Sequence, residues 1–199
     1  MWEVWGVLLG KGFIAFTLIS HFPPSTSHFH TNYEMRKVMK NLVNLLKNKN
    51  QTISCMESCT GGLFASEITN IDGSSQIFKL GLVTYSNEYK IHFGVSKQAI
   101  DTYTVYSKDV AKEMAKQVSN LAKSDYGIGI TGQLGTKDLT NNSTELNTVY
   151  ISIYNITNNT YNNYKIEPEG NNKYEKKFFT VQFIKERLYE ICKWKIRRI

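Results

Sequence analysis

Residues 52–69 read Thr-Ile-Ser-Cys-Met-Glu-Ser-Cys-Thr-Gly-Gly-Leu-Phe-Ala-Ser-Glu-Ile-Thr, and this stretch carries the clearest indication of the fold. The apolar run at 52–56 predicts a buried strand. The segment 57–62, which ends in two glycines, predicts a turn, and 63–69 predicts a helix. A buried strand that turns directly into a helix is typical of α/β proteins, so we expect this class of fold.

The rest of the chain repeats this alternation. Further strands are predicted at 77–85, 126–130, 148–156 and 160–166, and further helices at 36–47, 87–93, 108–123 and 178–194. The polar stretch 131–147 is predicted to be a loop. Ser107 is predicted to be the N-cap of the helix at 108–123. The alternation of strands and helices predicts a layered α/β sheet.

The chain has 199 residues, for which one domain is the default. We expect 1–34 to be a disordered leader or an unrelated extension, and 35–199 to be the working domain. Glu3 and Lys11 interrupt the apolar stretch 2–20, which is too broken for a transmembrane helix. No membrane partner is therefore expected.

Charge and cysteine content narrow the classes of function. The net charge is +7, and the basic excess lies mainly in 36–49 and 165–199. Basic patches can bind nucleic acid, but no aromatic-interleaved basic motif is present, so a solvated surface is the favoured interpretation. The three cysteines show no pairing pattern, which favours a reduced, cytoplasmic setting.

The segment 54–62 is the first candidate for chemistry. Ligands of open α/β sheets bind at the carboxyl ends of the strands, and free N–H groups at a helix start attract phosphate or an oxyanion. The segment therefore suits a phosphate cradle, a nucleophile or a plain helix cap. Ser58 and Cys59 are both possible nucleophiles, since a thiolate at a helix start would be reactive.

Lys90 is the second candidate. It is predicted to lie about one turn into the helix that follows the strand at 77–85. A serine hydroxyl needs a base to become a nucleophile, and a lysine with a lowered pKa can serve as one. By spacing alone, a surface lysine is the more common outcome.

Several ordered motifs together resemble the CinA C-terminal family over about 38–153. They are Glu57-Ser58-Cys59-Thr60-Gly61-Gly62, Gly73-Ser74-Ser75, Val83-Thr84-Tyr85-Ser86-Asn87-Glu88-x-Lys90, Gly94-Val95, Ser107-x-x-Val110-Ala111-x-x-Met114-Ala115 and Ile130-Thr131-Gly132. The resemblance implies a three-layer α/β/α sandwich with a mixed sheet, and a homo-oligomer of two or more copies. It also implies no cofactor and no metal ion.

The activity that the resemblance implies is hydrolysis of the carboxamide of nicotinamide mononucleotide, giving nicotinic acid mononucleotide and ammonia. Ser58 would be the nucleophile, Lys90 the general base, and Tyr85 a hydrogen-bonding residue that orients one of them. The implied substrate-binding residues are Thr60, Gly61, Gly62, Thr131, Gly132 and Lys176. The backbone amides around 60–62 would stabilise the oxyanion.

The chain also departs from the family pattern. Gln133-Leu134-Gly135-Thr136 stands where the family has Ile-Ala-Gly-Pro, and Asn172 and Lys176 stand where it has two arginines. Lysine lacks the bidentate fork of arginine, although Lys173 or Lys176 could meet a phosphate as a point charge. An inactive relative that binds a nucleotide or a protein partner is therefore the alternative hypothesis.

Overall fold

The fold is a five-stranded sheet covered by helices, seen in a computed structural model that describes residues 28–135, 141 and 146–194. Side chains are described for 37–135, 141 and 146–193. The strands are β1 (Ile53–Glu57), β2 (Phe78–Val83), β3 (Tyr126–Gln133), β4 (Thr148–Asn155) and β5 (Thr160–Ile166). The helices are α1 (His28–Asn48), α2 (Leu63–Thr69), α3 (Asn87–His92), α4 (Lys97–Tyr103), α5 (Lys108–Ala122) and α6 (Lys173–Trp194), with a short 3₁₀ turn at Ser74–Gln76.

The sheet is mixed, with the strand order β2-β1-β3-β4-β5. Strand β1 pairs in parallel with β2 and β3, while β4 is antiparallel to both β3 and β5. Glu57, at the end of β1, lies between Val83 of β2 and Ile130 of β3. The parallel strands therefore bring Ser58 and Thr84, each just past a strand end, to one edge of the sheet.

Helices cover both faces of the sheet, which gives three layers. Helices α1, α2 and α6 pack together on one face, around a core that includes Leu42, Phe64 and Ile184. Helices α4 and α5 cover the other face, with Met56 and Met114 in the core between them and the sheet. The predicted three-layer α/β/α architecture with a mixed sheet is confirmed.

Two glycines let α5 lie close to β3. A Cβ atom at Gly127 would come 2.0 Å from the carbonyl oxygen of Ala115, and one at Gly129 would come 2.1 Å from that of Ala111. Both contacts are to helix backbone, which cannot move aside as a flexible side chain can. The glycines that interrupt this strand in the sequence thus set the distance between helix and sheet.

The structure corrects several predicted boundaries. Strand β3 runs to Gln133, because β4 pairs with it as far as Thr148, so the predicted loop 131–147 begins too early. Helix α6 begins at Lys173 rather than at 178, and α4 was not predicted. The N-cap of α4 is Ser96, whose hydroxyl accepts a hydrogen bond from the Ala99 amide at 3.3 Å. The sequence thus contained a capping signal for α4.

The predicted leader is described only in part. Helix α1 begins at His28 rather than at 36, so the last residues of the predicted leader, 28–34, are helical. Residues 1–27 lie outside the described residues. The boundary between 34 and 35 stays a prediction. Within the described part of the chain, no helix combines the length and apolar character needed to cross a membrane.

Candidate active site

Ser58 and Lys90 meet at the edge of the sheet where the parallel strands end. The Ser58 amide donates to the carbonyl oxygen of Ile130 at 2.9 Å, which fixes the serine just beyond β1. The Lys90 Nζ atom lies 3.0 Å from Ser58 Oγ and 2.7 Å from the carbonyl oxygen of Thr84. The two candidates from the sequence are therefore in direct contact.

Helix α3 carries Lys90 into this contact. The Ser86 side chain caps the helix by accepting a hydrogen bond from the Tyr89 amide at 3.3 Å. Lys90 lies one turn into the helix, and its side chain is only 1% exposed. The interpretation of Lys90 as an ordinary surface lysine is therefore wrong.

Burial changes the acid–base character of Lys90. Removal of the ammonium from water lowers the pKa of Lys90 from 10.5 to about 8, against a smaller opposing effect of Cys59. At such a pKa, a substantial fraction of the amine is neutral near pH 8 and has a lone pair available. A neutral amine 3.0 Å from a serine hydroxyl has the geometry of a general base.

A buried glutamate occupies the start of α2. The Glu57 carboxylate accepts hydrogen bonds from the amides of Gly62 at 3.1 Å, Phe64 at 3.2 Å and Ala65 at 2.9 Å. These are the N–H groups that a phosphate cradle at this helix would use. Because a side chain of the protein already holds them, they are not available to a substrate phosphate.

The turn after Ser58 offers two other donors for an oxyanion. The Gly61 amide donates to the carbonyl oxygen of Ser58 at 3.1 Å, and the Gly62 amide donates to Glu57. The amides of Cys59 and Thr60 donate to no oxygen atom of the described residues, and the one polar contact of the Cys59 amide is with its own thiol. The amides around 60–62 were expected to stabilise an oxyanion. In this turn, the amides of Cys59 and Thr60 are the ones that remain available for that purpose.

A cavity of about 480 Å³ opens over Ser58 and Lys90. Besides these two, the described residues that line it are Cys59, Tyr85, Ser86, Asn87, Val105, Tyr106, Gly132, Gln133, Leu134, Asn141 and Lys173. Of the predicted site residues, Ser58, Lys90, Tyr85 and Gly132 are therefore brought together. Thr60, Gly61, Gly62, Thr131 and Lys176 are not among the lining residues.

Three of the predicted substrate-binding residues are buried at the cavity wall or next to it. The Thr131 hydroxyl donates to the carbonyl oxygen of Val105 at 2.9 Å and so ties the segment that carries Tyr106 to β3. A Cβ atom at Gly132 would come 2.5 Å from the carbonyl oxygen of Thr148. Thr60 is buried beside Ser58, and its hydroxyl has no hydrogen-bond partner among the described residues.

Tyr85 lies at the mouth of the cavity and is 65% exposed. Among the described residues, the partners of the Lys90 amine are Ser58 and Thr84, not Tyr85. The orienting role of Tyr85 stays a prediction, and the described acceptor that orients the Lys90 amine is the carbonyl of Thr84. No sequence signal could have shown this, because the acceptor is a backbone atom.

Among the described residues that line the cavity, the charged ones are the cations Lys90 and Lys173. Lys173, at the start of α6, lines the wall, while Lys177 Nζ lies 3.1 Å from the position of a Cβ atom on Gly61. None of the described lining residues is acidic. The sequence left Lys173 and Lys176 both open as phosphate contacts, with Lys176 named among the substrate-binding residues, and the structure puts Lys173 in the cavity wall. Residues three apart lie on the same face of a helix, so the two lysines differ in their position along α6, and the lysine in its first turn is the one that reaches the cavity.

Cys59 has the properties of an inert thiol. The side chain is 5% exposed, and burial raises the pKa of the Cys59 thiol to about 12, with Glu57 adding to the rise. Because the thiolate is the nucleophilic form, a thiol with this pKa is unreactive near neutral pH. The structure therefore favours Ser58 over Cys59 as the nucleophile.

Comparison with known proteins fits this site and fold. The family model of the CinA C-terminal domain matches residues 35–184. The chain belongs to the CinA C-terminal domain family. The resemblance drawn from the sequence motifs is thereby confirmed, and the Ser58–Lys90 contact lies within the matched region.

Relatives in this family are known by sequence and by structure. A competence-damage inducible protein of Clostridium kluyveri is 44% identical over 120 residues, which are 60% of this chain and 29% of the relative. One of Caldanaerobacter subterraneus is 46% identical over 103 residues, which are 51% of this chain and 24% of the relative. The chain thus matches less than a third of the length of these curated relatives.

Two solved structures of CinA proteins share the fold. A CinA superfamily protein of Klebsiella pneumoniae superposes with a TM-score of 0.74 at 21% identity, covering 79% of this chain and 97% of the other. The competence/damage inducible protein CihA of Agrobacterium tumefaciens superposes with a TM-score of 0.73 at 23% identity, covering 87% of this chain and 99% of the other. At these identities the likeness shows the α/β fold alone.

Proposed function

We propose that this chain is an amidohydrolase that converts nicotinamide mononucleotide to nicotinic acid mononucleotide and ammonia. The observation that carries the proposal is the buried contact of 3.0 Å between Lys90 Nζ and Ser58 Oγ. Membership of the CinA C-terminal domain family supports the choice of substrate. The reaction needs only a nucleophile, a base and donors for an oxyanion, and the cavity provides candidates for each.

The first half of the reaction makes an ester. Neutral Lys90 accepts the proton of the Ser58 hydroxyl as Oγ forms a bond to the carboxamide carbon, and the negative charge moves to the carboxamide oxygen. Lys90 then passes the proton to the leaving nitrogen, the carbon–nitrogen bond breaks, and ammonia departs. An acyl ester on Ser58 remains. The Thr84 carbonyl holds one N–H of the amine, which directs the lone pair toward Oγ.

The second half of the reaction hydrolyses the ester and regenerates the free enzyme. A water molecule attacks the ester carbon while Lys90 accepts one of its protons, and Ser58 Oγ leaves with that proton. The carboxylic acid that forms loses the second proton of the water to solvent and becomes the carboxylate product. The amides of Cys59 and Thr60 are the donors that the turn leaves available for the oxyanion in both halves. One such donor is commonly worth about 2.7–4 kcal/mol of transition-state stabilisation.

The charges around the cavity suit a phosphorylated substrate. Lys173 lines the wall, and none of the described lining residues is acidic, so a phosphate would meet an attracting cation and no carboxylate in the wall itself. The start of α2 is closed to that phosphate by Glu57. We therefore assign the phosphate end of the substrate to the side of the cavity formed by α6.

The test is ammonia release from nicotinamide mononucleotide by the purified chain. We expect Ser58→Ala to abolish release while the circular dichroism spectrum is unchanged. Ser66→Ala, the same change at an exposed serine of α2, is the matched control and should keep wild-type turnover. Undiminished release by Ser58→Ala would refute the serine mechanism.

One outcome would favour the alternative function. If a folded wild-type chain releases no ammonia, yet its melting temperature rises with added mononucleotide, the chain is an inactive nucleotide-binding relative. The replaced residues from Gln133 onward would then be the first place to examine.

A further inference from the structure

Glu57 is a buried acid with an unusual set of partners. It is 0% exposed, and no lysine or arginine of the described residues forms an ion pair with it. Its acceptor atoms are used by the amides of Gly62, Phe64 and Ala65 and by the Cys55 thiol, which donates at 3.5 Å. The N-terminal N–H groups of α2 thus take the place of a counterion.

Capping alone does not explain a glutamate here. Serine, threonine, aspartate and asparagine cap helices from the N-cap position at little desolvation penalty. The N-cap of α2 is Gly62, which contributes no side chain, and the acceptor comes from five residues earlier. Burial of a carboxylate is unfavourable unless it gains several hydrogen bonds, and three of those that Glu57 accepts come from amides that follow the nucleophile in the chain.

The contacts of Glu57 close a ring around the nucleophile. Its side chain binds the Gly62 amide, and its own carbonyl oxygen accepts from the Thr84 amide at 2.8 Å. Ser58, Cys59 and Thr60 lie within this ring of 57–62. Gly61 and Gly62 have φ values of 64° and 91°, which lets the ring close tightly. Together with the bond from the Ser58 amide to Ile130, these contacts of Glu57 fix the turn that carries Ser58 and the two available amides.

We propose that Glu57 is a positioning residue for the serine nucleophile, acting through the 57–62 turn that it anchors to α2. It does not touch the substrate, since it is not among the residues that line the cavity. Its effect is to hold Ser58 Oγ against Lys90 and to fix the turn that carries the Cys59 and Thr60 amides. This role rests on the proposed serine mechanism.

The test compares Glu57→Gln with Asp125→Asn. Glutamine keeps the size of the side chain but presents an NH₂ group to one of the amide donors. Asp125 is a matched control at the opposite end of β1, where its carboxylate accepts from the Thr52 amide at 2.7 Å and the Thr52 hydroxyl at 2.9 Å. Both substitutions remove a carboxylate that binds backbone N–H groups, and only one of them is beside the nucleophile.

The readout is acylation of Ser58 by p-nitrophenyl acetate, followed by p-nitrophenolate release and by mass spectrometry. The acetyl group forms an ester with Oγ, p-nitrophenolate leaves, and the serine proton passes to Lys90. We expect the acylation rate constant of Glu57→Gln to fall by about tenfold to a hundredfold, as a misplacement of about 1 Å would cause. Samples quenched with acid at the end of the burst, before water hydrolyses the ester, should carry one acetyl label per chain. Asp125→Asn should stay within about twofold of wild type, since its carboxylate lies away from the reacting atoms.

Each other outcome overturns the positioning role. These outcomes are a wild-type rate for Glu57→Gln, equal losses in the two variants, and a fall in labelled fraction without a fall in rate constant. If Glu57→Gln fails to fold while Asp125→Asn folds, the role of Glu57 is purely structural, which also overturns the positioning role. The substrate assignment is judged separately, because a wild-type chain that labels Ser58 but releases no ammonia refutes only the substrate. A wild-type chain whose Ser58 takes no label refutes the mechanism and the positioning role together.

Discussion

Lys90→Met offers a direct test of the buried lysine through the stability of the protein. In the folded chain the pKa of Lys90 is about 8, compared with 10.5 for an ordinary lysine. Between these values the unfolded chain binds a proton that the folded chain does not, so the free energy of unfolding rises with pH. From pH 7 to pH 10, wild type should gain about 2.5 kcal/mol relative to the methionine variant, which has no such proton.

The assay is urea denaturation of both proteins at pH 7, 8, 9 and 10. Tyrosines, cysteines and other lysines titrate in both proteins, so their effects cancel in the difference. Lys40→Met, at an exposed position of α1, is the matched control and should run parallel to wild type. Parallel curves for Lys90→Met and wild type would refute the lowered pKa. The same proton governs the reaction, so kcat/KM of wild type should rise with pH through about 8.

Three further predictions concern the surroundings of Ser58. Gly132→Ala should lower the free energy of unfolding by about 1–3 kcal/mol in a urea titration, because the added methyl group would come 2.5 Å from a carbonyl oxygen of β4; stability equal to wild type would contradict the close packing. Cys59→Ser should keep turnover within about threefold, because its neutral thiol takes no part in the reaction; loss of turnover comparable to Ser58→Ala would show that the thiol acts. Lys173→Met should raise KM for the mononucleotide by about tenfold in steady-state kinetics, whereas Lys176→Met, outside the cavity lining, should not; the reverse order would contradict the assignment of the phosphate to Lys173.

Much of the fold was predictable because local patterns determine single elements. The run at 52–69 gave β1, the turn and α2 with nearly correct limits, since an apolar run followed by glycines and a helical stretch has few other solutions. The errors came from tertiary pairing. Strand β3 continues to Gln133 because β4 supplies hydrogen-bond partners there, and a polar sequence gives no sign of a partner distant along the chain.

The reactive residues of the candidate site could be predicted from the sequence, but the other residues that line its cavity could not. Ser58 and Lys90 were identified by motif and by residue type, and the structure brings them together. Val105 and Tyr106 line the same cavity because the Thr131 hydroxyl holds their segment against β3. Such a contact joins residues 26 positions apart, so no local spacing encodes it.

The sequence by itself determined the class of fold, the family and the pair of groups that could do chemistry, because all three depend on residue type and order. Only the tertiary structure decided that Lys90 is buried enough to have a lowered pKa, since burial depends on every element packed around it. The tertiary structure also decided that the Glu57 side chain, and not a ligand, accepts the hydrogen bonds of the N–H groups at the start of α2. The competition between a side chain and a substrate for the same N–H groups is settled by geometry in three dimensions, because both satisfy those donors equally well in chemical terms.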